Sequence, residues 1–300
     1  MTIGISPLMA LALAGLAPTS APSPAPPQDD ARNMADCDDE SRQTPAETIV
    51  AACTALLESG RLDARERSLA LSGRAIGYRV QRDYPRAIAD YEEALRIDPD
   101  YAWAHAGLGA SYRDSGEFQR GREEYDIALR LSERELAAEQ DRAMRATLLY
   151  RSAFGYYGRG LALEGLGDRR SALADFREAF RRTPTEPNFG NALCWSLAVL
   201  GEELDEARAA CDASLRLRPD HPPTLDSRGL VALKQGRFQD AWDDYDAAAR
   251  INPDGPSWVY GRGIAALRLG RTEEGRADLA RAEALSAGVA QSYADFGIRP

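Results

Sequence analysis

From Ser68 onward the apolar and polar positions follow one scheme that returns along the chain. The stretches "HAGLGASYRDSGEFQRGREEYDIALR" from His105, "RGLALEGLGDRRSALADFREAFRRTP" from Arg159, "SRGLVALKQGRFQDAWDDYDAAARINP" from Ser227 and "YGRGIAALRLGRTEEGRADLARA" from Tyr260 share one order. A run rich in small residues leads to a Gly turn, and a second amphipathic run follows. Within each run the apolar positions lie three and four apart, the spacing of a helix buried on one side. The prolines that close the units act as a ruler: Pro99, Pro184, Pro219 and Pro253 are 85, 35 and 34 residues apart. A 34-residue unit fits, with 17 extra residues inside the longest gap. The units fall at about 68–101, 102–135, 153–186, 188–221, 222–255 and 256–289.

Each unit predicts two antiparallel helices. The eighth position is small (Ala75, Gly109, Gly160, Gly229, Gly263), except for Trp195 in the fourth unit. The turn holds Gly116, Gly167, Gly236 and Gly270, which can take positive φ after a helix end. The second helix opens on a small residue (Ala87, Gly121, Ala172, Ala207, Ala241, Gly275). A large one follows four later (Tyr91, Tyr125, Phe176, Cys211, Tyr245, Leu279), then a small one (Ala94, Ala128, Ala179, Ser214, Ala248, Ala282). These share one helical face, so small residues on one helix face large ones on the other and the pair can interlock.

This pattern resembles the tetratricopeptide repeat family over roughly 68–289. The resemblance implies an all-α, right-handed superhelical solenoid of about six helix-turn-helix units, with a concave groove that holds a peptide or partner segment. In that family the groove is lined by the second, fifth, ninth and twelfth positions of the first helices. Here those positions include Arg79, Trp103, Arg113, Phe154, Tyr157, Phe189, Leu230 and Tyr260. The Lys and Asn that clamp a terminal carboxylate in one family mode have no counterpart in these slots. An aromatic groove suits apolar or extended peptide segments. The competing reading of Trp103, Phe154 and Phe189 is packing between neighbouring units.

One feature departs from the family pattern. The seventh position, often Leu, is Arg74, Arg159, Arg228 and Arg262, and sixteen residues later stand Asp90, Asp175, Asp244 and Asp278. The second unit has Leu108 and Glu124, the fourth Cys194 and Ala210. The pairing predicts an ion pair inside each of four units, worth about 0–1 kcal/mol apiece if partly exposed.

The ends and the insert complete the plan. Residues 1–20 begin with an apolar, acid-free run and read as a secretory signal peptide, although no Lys or Arg precedes it. Residues 21–43 read as a Pro-rich, acidic linker without packing. Residues 44–67 read as an N-terminal capping helix, with Thr44 as N-cap, Pro45 opening the helix and Glu47 completing a capping box. Residues 136–152 lack Gly and Pro and read as a helical extension that lengthens one helix. Residues 290–300 read as a C-terminal cap that shields the last apolar face.

Four cysteines change the picture further. Cys194 and Cys211 face each other across the fourth helix pair, which predicts a disulfide, and Cys37 with Cys53 would tie the N-terminal segment to its helix. In a reducing compartment all four would stay thiols. No Cys-x-x-Cys pair points to zinc, and His105 and His221 are far apart and read as structural. The net charge of −10 opposes broad binding to nucleic acid. No phosphate loop, nucleophile elbow or metal signature occurs, and no cofactor or metal is expected. The expectation is therefore a non-catalytic scaffold binding a protein or peptide partner, periplasmic or secreted, without a membrane span once the signal is removed. A self-associating or self-occluded solenoid is the alternative, and so is a cytoplasmic or N-terminally tethered location.

Overall fold

The computed structural model describes residues 28–37 and 44–300, and the segment read as a signal peptide lies outside them. Two helices lead: α1 (Gln28–Cys37) and α2 (Ala46–Glu58). Six helix pairs follow: α3 (Ala64–Val80) with α4 (Tyr84–Ile97), α5 (Ala102–Asp114) with α6 (Phe118–Ala138), and α7 (Arg142–Gly165) with α8 (Arg169–Arg182). Then come α9 (Pro187–Leu200) with α10 (Leu204–Leu217), α11 (Pro222–Lys234) with α12 (Phe238–Ile251), and α13 (Pro256–Arg268) with α14 (Thr272–Leu285). The short α15 (Val289–Asp295) closes the described chain. The pairs stack into a right-handed superhelical solenoid. The first helices α9, α11 and α13 pack side by side, as do α3, α5 and α7, whereas second helices of successive pairs do not. The first helices therefore form the inner layer.

The small positions work between units as well as within them. A Cβ on Gly107 would stand 2.3 Å from Tyr91, one on Gly158 2.3 Å from Tyr125, and one on Gly261 2.3 Å from Tyr245. In each case the Tyr belongs to the preceding unit and is buried. The large residue of the second helix thus wedges between two first helices, and only Gly leaves room for its ring tip.

At the turns Gly116, Gly167, Gly236 and Gly270 all take positive φ, between 72° and 90°. The first unit places Arg82 there with φ 62°. In the fourth unit the left-handed residues are Gly201 and Glu203, which accounts for its irregular turn. At the N-terminal side the expected Thr44 capping box is absent: the helix begins at Ala46 with Pro45 at the cap and no side-chain cap bond. Proline has no N–H and a fixed φ, so it fills the cap position itself. A capping box forms one helix later instead, between Asp63 and Glu66.

All four cysteines are paired. Cys37 joins Cys53 with Cα atoms 5.0 Å apart, linking α1 to α2, and Cys194 joins Cys211 at 5.4 Å, linking α9 to α10.

The four Arg–Asp pairs are bidentate. Nε and Nη2 of Arg74, Arg159, Arg228 and Arg262 donate to the two carboxylate oxygens of Asp90, Asp175, Asp244 and Asp278 at 2.7–2.9 Å. The third donor goes elsewhere. Nη1 of Arg159, Arg228 and Arg262 reaches Asp126, Asp212 and Asp246 of the preceding unit at 2.7–2.8 Å. The partners are 33 residues apart across the insert but 16 in the other two cases. The insert therefore leaves the register of the ladder intact. The Asp side chains are only 7–11% exposed. Removing one Arg would leave a nearly buried carboxylate unpaired, a heavier cost than the surface-pair value. In the second unit, which lacks the Arg, Glu124 instead sits 2.7 Å from Nδ1 of His105. Burial pulls the His105 imidazolium down, yet Glu124 and the Pro99 carbonyl raise it overall.

Candidate functional site

The insert does not lengthen one helix but two. α6 runs on to Ala138, and after a short break α7 begins at Arg142, so both overhang their neighbours. The break is pinned: Nη1 of Arg145 donates to the carbonyls of Leu136 and Glu139 at 2.7 and 2.9 Å, and Asp141 accepts from Met144 N at 2.8 Å. Glu139 and Asp141 supply the polar break that the helix-favouring composition concealed.

Under this overhang lies a cleft of about 770 Å³. Its walls come from the start of α3 (Arg65, Leu69), the start of α5 (Trp103, Ala106), the end of α6 (Ser132, Glu135) and α7 (Met144, Leu148, Arg151). Leu69 and Met144 are 43% and 44% exposed, large apolar side chains left facing solvent. The Arg151 guanidinium lies 5.7 Å from the Trp103 ring centre, a cation–π arrangement that holds the indole face at the opening. Burial pushes the Glu135 carboxyl up, against the pull of Arg151 and Arg134. An apolar floor with charges of both signs at the rim suits a peptide segment whose side chains enter alternately.

The residues expected to line the groove divide into three groups. Trp103 and Phe154 are half-buried and adjoin at 5.7 Å, Phe154 and Tyr157 at 6.4 Å, and Tyr157 and Phe189 at 5.1 Å. This aromatic ladder crosses three units, and only its Trp103 end opens into the cleft. Arg79 and Arg113 converge on Asp114 at 2.6–2.9 Å, and Arg113 also donates to the Tyr125 hydroxyl at 3.3 Å. They are internal ties rather than free cations. Phe189, Leu230 and Tyr260 correct the expectation: they are fully packed, at 1%, 1% and 3% exposure. Their first helices lie close together, and Tyr260 is also covered by Tyr293 of α15 at 5.0 Å. Leu69, Met144 and Arg151 were missed. The signal for them was the length of the insert, which places a helix end over the neighbouring unit.

Among the described residues no group of His, Cys, Asp and Glu is arranged to hold a metal ion, and no helix is long and apolar enough to cross a membrane.

Comparison with known proteins agrees with this architecture. Residues 78–116 match the family described as TPR repeat, and residues 157–222 and 227–290 match the one described as tetratricopeptide repeat. The chain belongs to the tetratricopeptide repeat family. It is 31% identical over 126 residues to a TPR repeat-containing protein of Pseudomonas aeruginosa, a match covering 39% of this chain and 21% of that protein. The chain thus spans about a fifth of the length of that curated relative. Among solved structures, the APC/C hetero-tetramer Cut9–Hcn1 aligns over 89% of this chain and 51% of its own, with a TM-score of 0.64 and 14% identity. PilW, a type IV pilus biogenesis factor, aligns over 77% and 98% with a TM-score of 0.58 and 18% identity. YrrB, a TPR protein with an unusual peptide-binding site, aligns over 71% and 98% with a TM-score of 0.50 and 22% identity. At these identities the likeness is one of fold.

Proposed function

We propose that this protein is a non-catalytic scaffold that holds an extended peptide segment of a partner protein in the cleft beneath the α6–α7 overhang. The observation that carries the reading is the cleft itself: Trp103, Leu69 and Met144 present apolar surface inside a concavity, the arrangement that marks recognition sites on soluble proteins. The cell envelope is the proposed location. It is supported by the two disulfides, which persist in oxidising compartments, and by the apolar run at residues 1–20.

The test is site-specific photocrosslinking in the native host. A photoreactive residue replaces Leu69 or Met144 in the cleft, and Leu217, 49% exposed on the second helix α10, in the control. One envelope protein crosslinked at both cleft positions, and lost when Trp103→Ala is added, is the expected result. Crosslinking that is the same at all three positions would overturn the site.

A further inference from the structure

The last helix is tied to a buried acid. Phe296, the residue that closes α15, packs edge-on against Trp195 of α9 at 5.4 Å, and Tyr293 meets Tyr260 of α13 at 5.0 Å. The Tyr293 hydroxyl donates to the Ser257 carbonyl at 3.0 Å and lies 3.2 Å from the Tyr245 hydroxyl of α12. Ser257 stands in the first turn of α13, and its own hydroxyl lies 3.0 and 2.8 Å from the two carboxyl oxygens of Asp226 on α11. One residue thus holds the cap through its main chain and the acid through its side chain. The arrangement suits an uncharged Asp226. A hydroxyl has one proton to give, and among the described residues no other donor reaches this carboxyl. An ionised Asp226 would therefore keep one oxygen without a donor. The neutral acid satisfies both, accepting from the Ser257 hydroxyl with one oxygen and donating back with the other. No cation compensates either. Asp226 meets the Ser257 hydroxyl from α13 and the phenols of Tyr245 from α12 and Tyr293 from α15, and no charge from α9 or α10 acts on it. Burial pushes its carboxyl up to about 7, against the Ser257 hydrogen bond. Burial pushes both phenols up as well, so they stay neutral in this range.

We propose that Asp226 is the trigger of a pH-sensitive latch: losing its proton loosens α15 from its seat on α9 and α13, so the C-terminal end of the solenoid is closed in acid and opens towards neutral pH. The first observation that carries this is the shared Ser257, which puts the acid and the cap in one hydrogen-bonded cluster. The second is the unequal strength of the covers. α15 is a 7-residue helix, far below the length that is stable alone, whereas α11, α12 and α13 have 13, 14 and 13 residues and pack on both sides within the stack. An uncompensated buried charge is relieved by water, and water enters where the cover opens at least cost. The third is the sign of the coupling. Lifting α15 hydrates the carboxyl and returns it towards its ordinary value near 4. A carboxyl held above that value favours the closed form fully below about pH 4 and loses its hold as the pH rises through about 7. The open population therefore grows by up to about tenfold per pH unit across that window and is level above it. Lys234, which borders the cavity beside Phe296, works in the opposite sense: burial lowers its ammonium, so a rising pH favours the closed form there.

The latch does not depend on the Trp103 cleft, and its test leaves that cleft alone. Hydrogen exchange is measured on the full chain from pH 5 to 8, with rates corrected for the intrinsic pH dependence of exchange. The amides of Ser292, Phe296, Gly297 and Ile298, all hydrogen-bonded within the cap, report the latch, and those of α5 are the reference. The expected result is protection in the cap that falls by about tenfold or more between pH 5 and 7 and then levels, with α5 unchanged. Asp226→Asn keeps the cap's protection constant over the same range. Ser257→Ala removes the one bond that favours the charged form, so it moves the fall to higher pH. That second variant, with the wild-type profile itself, keeps the test decisive if the Asn chain does not fold. Constant protection of the cap in the wild type overturns the proposal, as does the same fall in a folded Asp226→Asn chain. A loss spread evenly over α11 to α14 overturns it too, because Asp226 would then weaken the array and not its cap.

Discussion

At the scale of single residues, Asp226 is the group most out of place. It lies on α11, 8% exposed, and its charged neighbours are too far to help: its bonds come from the Ser257 hydroxyl at 3.0 and 2.8 Å. Burial pushes its carboxyl up to about 7, against the Ser257 hydrogen bond. The folded chain therefore holds a proton that the unfolded chain releases near pH 4. Its contribution is complete below about pH 4 and falls away as the pH rises through about 7. Asp226→Asn keeps the shape and removes the titration. Melting curves from pH 4 to 8 should show the wild type losing on the order of 3 kcal/mol relative to the variant across that window. A constant difference would mean that Asp226 is ionised throughout. Glu178, held down to about 2 by Arg181 and then Arg182, works in the opposite direction but below this window. The Arg–Asp pairs were legible in the sequence because both partners recur at fixed positions of one unit. Their second partners, Asp126, Asp212 and Asp246, recur just as regularly, but across unit boundaries, and the insert stretches one of the three intervals.

At the scale of elements, the turns distinguish what local chemistry decides from what packing decides. Five units end the first helix with Gly in the left-handed region, and the first unit puts Arg82 there. A residue with a Cβ pays a steric penalty in that region which Gly escapes. Arg82 is exposed and holds no partner that the turn requires. Arg82→Gly should therefore raise stability by about 0.5–1 kcal/mol, read from urea melts with an unchanged slope. A loss would show that the Arg side chain contributes more than its backbone strain removes. Helix pairs and turns could be read from the chain because period and glycine placement are local signals. The Thr44 cap could not, since Pro45 competes for the same position and nothing in the pattern ranks the two. The path of α15 could not either: its apolar face is plain in the sequence, but whether it stacks beyond α14 or folds back to Trp195 depends on tertiary fit.

At the scale of the molecule, the chain is an array in which each pair touches mainly its neighbours, so stability is a sum of unit and interface contributions. The groove residues show the limit of reading position alone. Trp103 opens into a cleft, while Phe189, at the equivalent position, and Leu230 and Tyr260, at other groove positions, are sealed by neighbouring units or by α15. Position within a repeat fixes the layer, and only the local curvature and the insert fix exposure. The whole array also makes a prediction about its weakest member. Unit four lacks the Arg–Asp pair and has Cys194–Cys211 in its place. A link closing a loop of this length contributes about 3 kcal/mol. Cys194→Ala with Cys211→Ala should lower the midpoint of the C-terminal pairs while α3 to α6 keep theirs, seen by hydrogen exchange; uniform loss along the chain would refute a local role.

That disulfide has a consequence for how the molecule fails. With the bond closed, every pair carries its own internal fastening, and heat should melt the array as one cooperative length. With the bond open, the fourth pair becomes a fuse: the array parts there first, and calorimetry should resolve two transitions where there had been one. The redox state of its surroundings would then set whether this protein behaves as one rod or as two short ones joined by a loosened segment.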